Sequence, residues 1–137
     1  KAMFGNVWVW AGCFRKSVTS IGVAPQFIGV RLSELCADVL AWESNDISLT
    51  SIEKAARIHH RLVFIHPFEN GNGRFSRLIA DRYLLSHACL YPNWPIDLHG
   101  SSEMRGLYIK SLKSADEGDY GPLVYLMAEW GACEVRK

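Results

Sequence analysis

The sequence lacks a strong charge of either sign. Its 137 residues hold 15 Lys and Arg against 14 Asp and Glu, a net charge of +1. That balance excludes bulk attraction to nucleic acid or to an anionic membrane surface as the basis of function. No apolar run approaches the ~18 residues that span a bilayer, and no signal peptide is visible. Cysteine is sparse: Cys13, Cys36, Cys89 and Cys133 are widely spaced, with no CxxC pair. That pattern fits neither a disulfide framework nor a zinc site, so reduced, mostly buried thiols and a cytoplasmic setting are expected. Repeats, low-complexity tracts and linkers are also missing, which leaves one domain over residues 1–137. The chain starts at Lys1 rather than Met, and further residues are expected upstream.

The chain is rich in apolar residues, at 49% hydrophobic and 21% charged. A chain of this size buries about two-thirds of its unfolded surface, so it folds without metal or disulfide. Periodicity predicts helices. The segment Met3–Gly12 places Phe4, Val7, Trp8 and Ala11 on one stripe and reads as an N-terminal helix. From Gln26 to Glu43, Ile28, Leu32, Leu35, Val39 and Trp42 recur every three or four residues. Thr50 and Glu53 stand in capping-box spacing. Pro67 should end the helix that follows, because proline disfavours α geometry at the residue before it. Residues 68–73 read as a loop, and helix resumes at Arg74. Further helices are expected over Ser102–Lys113 and Asp119–Trp130, the latter with Pro122 in its first turn. Between the first two helices, Phe14–Val23 is β-branched and ends in Gly and Pro, which predicts short extended structure or a hairpin. The fold class is all-α with one short β element.

Chemistry concentrates in residues 66–77, His-Pro-Phe-Glu-Asn-Gly-Asn-Gly-Arg-Phe-Ser-Arg. A loop with two glycines enters a helix N-terminus, where free N–H groups and the dipole favour an anion. Arg74 and Arg77 lie three apart on the first turn. Cations there oppose the dipole but suit phosphate oxygens. His66 precedes the loop and can act near neutral pH. Glu69 and Asn70 offer oxygens to a hard cation such as Mg²⁺. Together these features point to transfer chemistry on a nucleotide polyphosphate.

The stretch resembles the Fic family signature, HPFx(D/E)GNGRxxR, and the likeness is sharp from about His59 to Leu85. Within the family it is most like the type called mobile mystery protein B. The resemblance implies a Fic-fold helical bundle with a β-hairpin flap, in a bacterial cytoplasmic protein. It implies transfer of AMP from ATP to a Ser, Thr or Tyr hydroxyl of a target protein. By position, His66 would be the general base, and Phe68 would anchor the loop in the core. Gly71, Asn72 and Gly73 would cradle the phosphates, Asn72 also through its side chain, and Arg74 and Arg77 would hold the outer phosphates. The flap would lie within 15–23, with Ser20, Ile21 and Gly22 holding target backbone by strand addition. Asn70 departs from the family's Asp or Glu, which holds Mg²⁺, so weakened metal binding is implied. The resemblance also implies a restraining (S/T)xxxE(G/N) helix, and these residues contain no such motif: Glu117-Gly118 fails because Lys113 stands at the Ser/Thr position. Restraint would come from a separate antitoxin-like protein or from residues outside these 137, or would not occur. Three readings stay open: an AMP transferase, a nucleotide- or partner-binding pseudoenzyme with a crippled metal site at Asn70, and a Fic-fold enzyme with altered chemistry. The last covers phosphotransfer or removal of AMP. Doc-like phosphotransferases carry Lys where this chain has Gly73, which favours AMP transfer.

Blander roles compete elsewhere. His59 falls on the core stripe and reads as a structural hydrogen bonder, His60 as a surface residue, and Arg57 and Arg82 as solvent-facing. The tryptophans are expected mainly in the core, with Trp94 able to rim a pocket. Arg77 and Asp81 could form a plain helix ion pair. The charges at Lys110, Lys113, Asp116, Glu117 and Asp119 read as a solvated surface.

Overall fold

The computed structural model describes residues 12–45, 48–99 and 102–134. The expected helix over Met3–Gly12 lies almost wholly outside them. Five helices follow in order: α1 (Ile28–Asn45), α2 (Ser51–Ile65), α3 (Asn72–Ser86), α4 (Glu103–Asp116) and α5 (Gly121–Glu129). Two 3₁₀ turns, Pro25–Phe27 and Ile96–His99, introduce α1 and α4. The two strands are short. β1 (Cys89–Leu90) pairs antiparallel with β2 (Cys133–Glu134), setting Cys89 opposite Glu134 and Leu90 opposite Cys133.

Two of the helices, α2 and α4, begin where side chains satisfy their free amides. At α2, Thr50 Oγ1 accepts from Glu53 N at 3.2 Å, and Glu53 Oε2 accepts from Thr50 N at 2.6 Å, closing the predicted box. Ser102 caps α4 by accepting from Arg105 N. Pro122 sits in the first turn of α5, where its missing N–H leaves no bond unmade.

α2 is the central helix, packed against α1, α3 and α5. Its two sides feed two apolar clusters. Ala55 and Ala56 join Ala80, Leu84, Tyr108, Leu112, Leu123 and Met127 of α3, α4 and α5. Ile58, Leu62 and Ile65 meet Ile28 and Leu35 of α1, with Phe75 and Ile79 packed alongside. Such two-sided burial explains the places where amphipathic reasoning misreads α2. His60 is buried rather than on the surface, with Nε2 at 2.7 Å from Asp116 Oδ1 and Nδ1 at 3.2 Å from Tyr120 Oη. Arg57 is half-buried with its guanidinium 4.4 Å from the Tyr120 ring centre, a cation–π contact rather than solvent exposure. Asp116, its partner, remains exposed, as expected of the charged cluster. Arg82 is exposed, as expected.

Three further expectations need correction. Of the short extended structure or hairpin expected over 14–23, the hairpin does not form: the segment holds neither strand nor helix. The carbonyls of Ser17 and Val23 both accept from one guanidinium, that of Arg15, which closes the segment into a loop and keeps those groups out of a ladder. The cysteines are all free, but only Cys89 is buried; Cys13, Cys36 and Cys133 are exposed, on a loop, an outer helix face and an edge strand. Trp42, Trp94 and Trp130, the described tryptophans, are half-buried at the margins of the two clusters.

No helix among the described residues is long and apolar enough to cross a membrane.

Candidate active site

The six residues between α2 and α3 carry the first half of the motif. His66 caps α2 in the left-handed region, at φ 52° and ψ 62°, with its N–H donating to Leu62 O at 3.0 Å. Pro67 blocks continuation of the helix. A left-handed non-glycine residue costs about 1–2 kcal/mol, so the surroundings must hold it. Arg15 does so. It is 2% exposed. Its Nε donates to His66 O at 2.6 Å and its Nη2 to Ile65 O at 3.2 Å, while its own N–H donates to Pro67 O at 2.9 Å. The C-terminal carbonyls of a helix lack intrahelical donors, and a cation there matches the dipole. Gly22 lies against the same pair. At its φ of 111°, a β-carbon would fall 2.5 Å from Arg15 Nη2 and 2.7 Å from His66 Cβ. Burial, aided by the Arg15 charge, holds the His66 imidazole below the usual histidine range, which favours its neutral form.

Phe68 is half-buried and braces the loop edge-on against Phe75, 5.1 Å between ring centres, with Phe14 at 6.2 Å. It anchors the loop against other aromatics at the margin of the core. Asn72 is buried and staples the turn: its Oδ1 accepts from Phe68 N and its Nδ2 donates to Phe68 O, both at 2.8 Å. Both polar atoms of its side chain thus engage the loop, and the second Nδ2–H is what remains for the cradle the resemblance implies. Gly71 caps α3 at φ 76°, and the first-turn amides of α3 have no helical acceptor. A β-carbon at Gly73 would sit 3.2 Å from Arg77 Nη1, so glycine lets that guanidinium lie close over the helix start. Arg74 is exposed and Arg77 half-buried.

These groups line one cavity of about 690 Å³. His66, Glu69, Asn70, the Gly71–Arg74 turn and Arg77 form its polar side. Val63, Leu98, Tyr108, Ile109 and Leu112 form an apolar side, with Arg105 between, and Ile21 reaches it from the 15–23 segment. Of the expected flap residues, Ile21 thus lines the cavity and Gly22 touches His66, while Ser20 is exposed and outside the lining. Tyr108 and Arg105 escaped sequence reasoning because they lie on α4, distant in the chain and without a motif. The Tyr108 hydroxyl is pushed up to about 12, mainly by burial, against the lowering influence of the nearby Arg77. Behind it, fully buried His59 lies 2.7 Å from the Tyr108 hydroxyl through Nε2, the structural role expected of it. Trp94 packs on His59, 5.0 Å between ring centres, and donates to Asp81 Oδ1. It backs the site instead of rimming it, and Asp81 has a partner besides Arg77.

An imidazole, a helix N-terminus, two guanidiniums and an apolar recess thus meet in one cavity on a helical bundle, an arrangement able to receive an anion. The comparisons agree. The Fic/DOC family model matches residues 2–84, and the chain belongs to that family. Protein adenylyltransferase fic-1 of Caenorhabditis elegans is 31% identical over 135 residues, which cover 94% of this chain and 25% of that protein. Protein adenylyltransferase Fic of Drosophila virilis is 40% identical over 82 residues, 60% of this chain and 16% of that one. A solved structure of C. elegans Fic-1 superposes with a TM-score of 0.72 at 29% identity, covering 93% of this chain and 36% of that one. The Bartonella tribocorum effector BepC, solved with bound AMPPNP, shares the fold at a TM-score of 0.66 and 18% identity, over 94% of this chain and 68% of that one. This chain therefore spans about a quarter or less of the curated relatives it matches. Those relatives come from nematodes and flies, so they lend no support to the expected bacterial source.

The family implies a divalent cation. The described residues contain no group of three or more His, Cys, Asp or Glu that could hold one alone. Glu69 and Asn70 are exposed on the cavity, and Asn70 Oδ1 accepts from Gly71 N at 2.8 Å. This donor set fits Mg²⁺ that is held mainly by nucleotide phosphates, with one or two oxygens from the protein.

Proposed function

We propose that this chain carries the catalytic site of a protein adenylyltransferase, which moves AMP from ATP to a Ser, Thr or Tyr hydroxyl of a target protein. The observation that carries this reading is the neutral, braced His66 opening into the same cavity as the α3 amides, Arg74 and Arg77. His66 takes the proton as the target's hydroxyl oxygen bonds to the α-phosphorus. The bond from that phosphorus to the bridging oxygen breaks, and pyrophosphate leaves. Its developing charge meets the first-turn amides of α3, Arg74 and Arg77, so catalysis is positioning plus electrostatic stabilisation. The apolar side of the cavity takes the nucleobase. Mg²⁺, when bound with ATP, would neutralise phosphate charge, and Asn70 and Glu69 are the residues that would hold it. The segment Ser20–Gly22 stands at the rim, where a target's backbone would lie. Restraint in this reading comes from a separate antitoxin-like protein or from residues outside these 137, or does not occur.

A second reading rests on Asn70, whose neutral oxygen is already engaged by Gly71 N–H: a nucleotide-binding pseudoenzyme. ATP labelled at the α- or the γ-phosphate, incubated with Mg²⁺, protein and lysate, separates the readings. AMP transfer labels protein from the α-position alone. Label from the γ-position alone means phosphotransfer, and ATP bound without transfer from either position supports the pseudoenzyme.

A further inference from the structure

Arg15 is a buried guanidinium with no carboxylate partner among the described residues. Among those residues its side-chain bonds go to main-chain carbonyls: Ser17, Val23, Ile65 and His66. Burying an unpaired cation is costly, and five N–H donors in one plane are what make this arrangement possible. Two of the four carbonyls belong to the last turn of α2 and its cap, and two to the ends of the 17–23 loop. One side chain therefore fastens the rim segment to the residue that carries the imidazole. Gly22 completes the packing, since a β-carbon there would strike both Arg15 and His66.

We propose that Arg15 is a positioning residue for His66: its fork fixes the left-handed turn at His66 and holds the Ile21–Gly22 rim over the imidazole. This rests on the reading of His66 as the base. Arg15 is not among the residues that line the cavity and acts through the geometry of the base. The other charged groups around His66 are Glu69, Arg74 and Arg77 on its own loop and α3, and Arg105 on α4 across the cavity. Of these charged groups, Arg15 is the one with a described bond to the His66 backbone.

The test compares Arg15→Met, Arg15→Lys and Gly22→Ala with the wild type. It reads the His66 ring titration by NMR, and kcat and the ATP KM from α-labelled transfer. Displacing a catalytic group by about 1 Å costs on the order of a hundredfold. We expect Arg15→Met to lose about that much kcat with the ATP KM little changed, and its His66 to titrate higher, toward the usual histidine range. Arg15→Lys keeps the charge but not the fork, so kcat falls while the titration stays nearer to wild type. Gly22→Ala lowers kcat with Arg15 intact. Wild-type kcat in Arg15→Met, or a loss confined to the ATP KM, overturns the proposal. Should Arg15→Met fail to fold, Gly22→Ala decides: wild-type kcat and titration there overturn it. Should the wild type transfer nothing, the functional reading fails by itself, and an unshifted His66 titration in Arg15→Met still overturns the role of Arg15.

Discussion

Burial has set His59 and His66 to different tasks. His59 is fully enclosed and its pKa falls to about 3, chiefly through desolvation. Below about pH 6.5 the unfolded chain binds a proton that the folded His59 refuses. Stability therefore declines as pH falls, by at most about 1.4 kcal/mol per pH unit from this group. His66, also lowered, adds to the same loss. Glu43 is held down to about 2 by Tyr83 and His87, so its contribution fades only below the ordinary carboxylate range. Urea unfolding between pH 6.5 and 5 should show the histidine slope, and His59→Gln should flatten it while lowering stability at pH 7. Asn70 supports a second expectation at this scale. Asn70→Asp should restore a charged ligand and raise AMP transfer at limiting Mg²⁺ on the order of tenfold; equal or lower turnover would show that the position does not limit the metal. The sequence made His66, Asn70, Arg74 and Arg77 legible because motif chemistry is local. It concealed Arg15, whose partners His66 and Ile65 lie 51 and 50 residues away, and no pattern announces a guanidinium that bonds only to backbone.

The helices were readable wherever caps and breakers were explicit. α2 begins after Thr50 and stops before His66, as the capping box and Pro67 require. Thr50→Ala removes one side of that box and should cost about 1 kcal/mol by chemical denaturation, with the site unchanged. α3 starts at Asn72, two residues before the expected Arg74, because left-handed Gly71 supplies the cap without a side chain. That shift puts Asn72 and Gly73 inside the first turn and brings the anion-binding amides up to the glycines. The 14–23 segment was misread for the opposite reason. Its β-branched residues favour extended backbone, but the Arg15 guanidinium takes the carbonyls that a ladder would need.

Over the whole molecule, α2 ties the candidate site to both apolar clusters, so the motif loop hangs from the most enclosed of the described helices. Periodicity identified that helix's apolar stripe but not its second buried side, where His60 and Arg57 find Asp116 and Tyr120. Pairing between elements remote in sequence decides such positions, and a single helix does not display it. The central claim is that a His66 base and an α3 anion cradle act as one site on ATP. One measurement tests it most directly: ATP affinity by calorimetry and AMP transfer from α-labelled ATP, in the same preparations of wild type and His66→Ala. The account predicts closely similar ATP affinity in the two proteins, with transfer present in the wild type and lost in His66→Ala. Transfer that survives His66→Ala would contradict it.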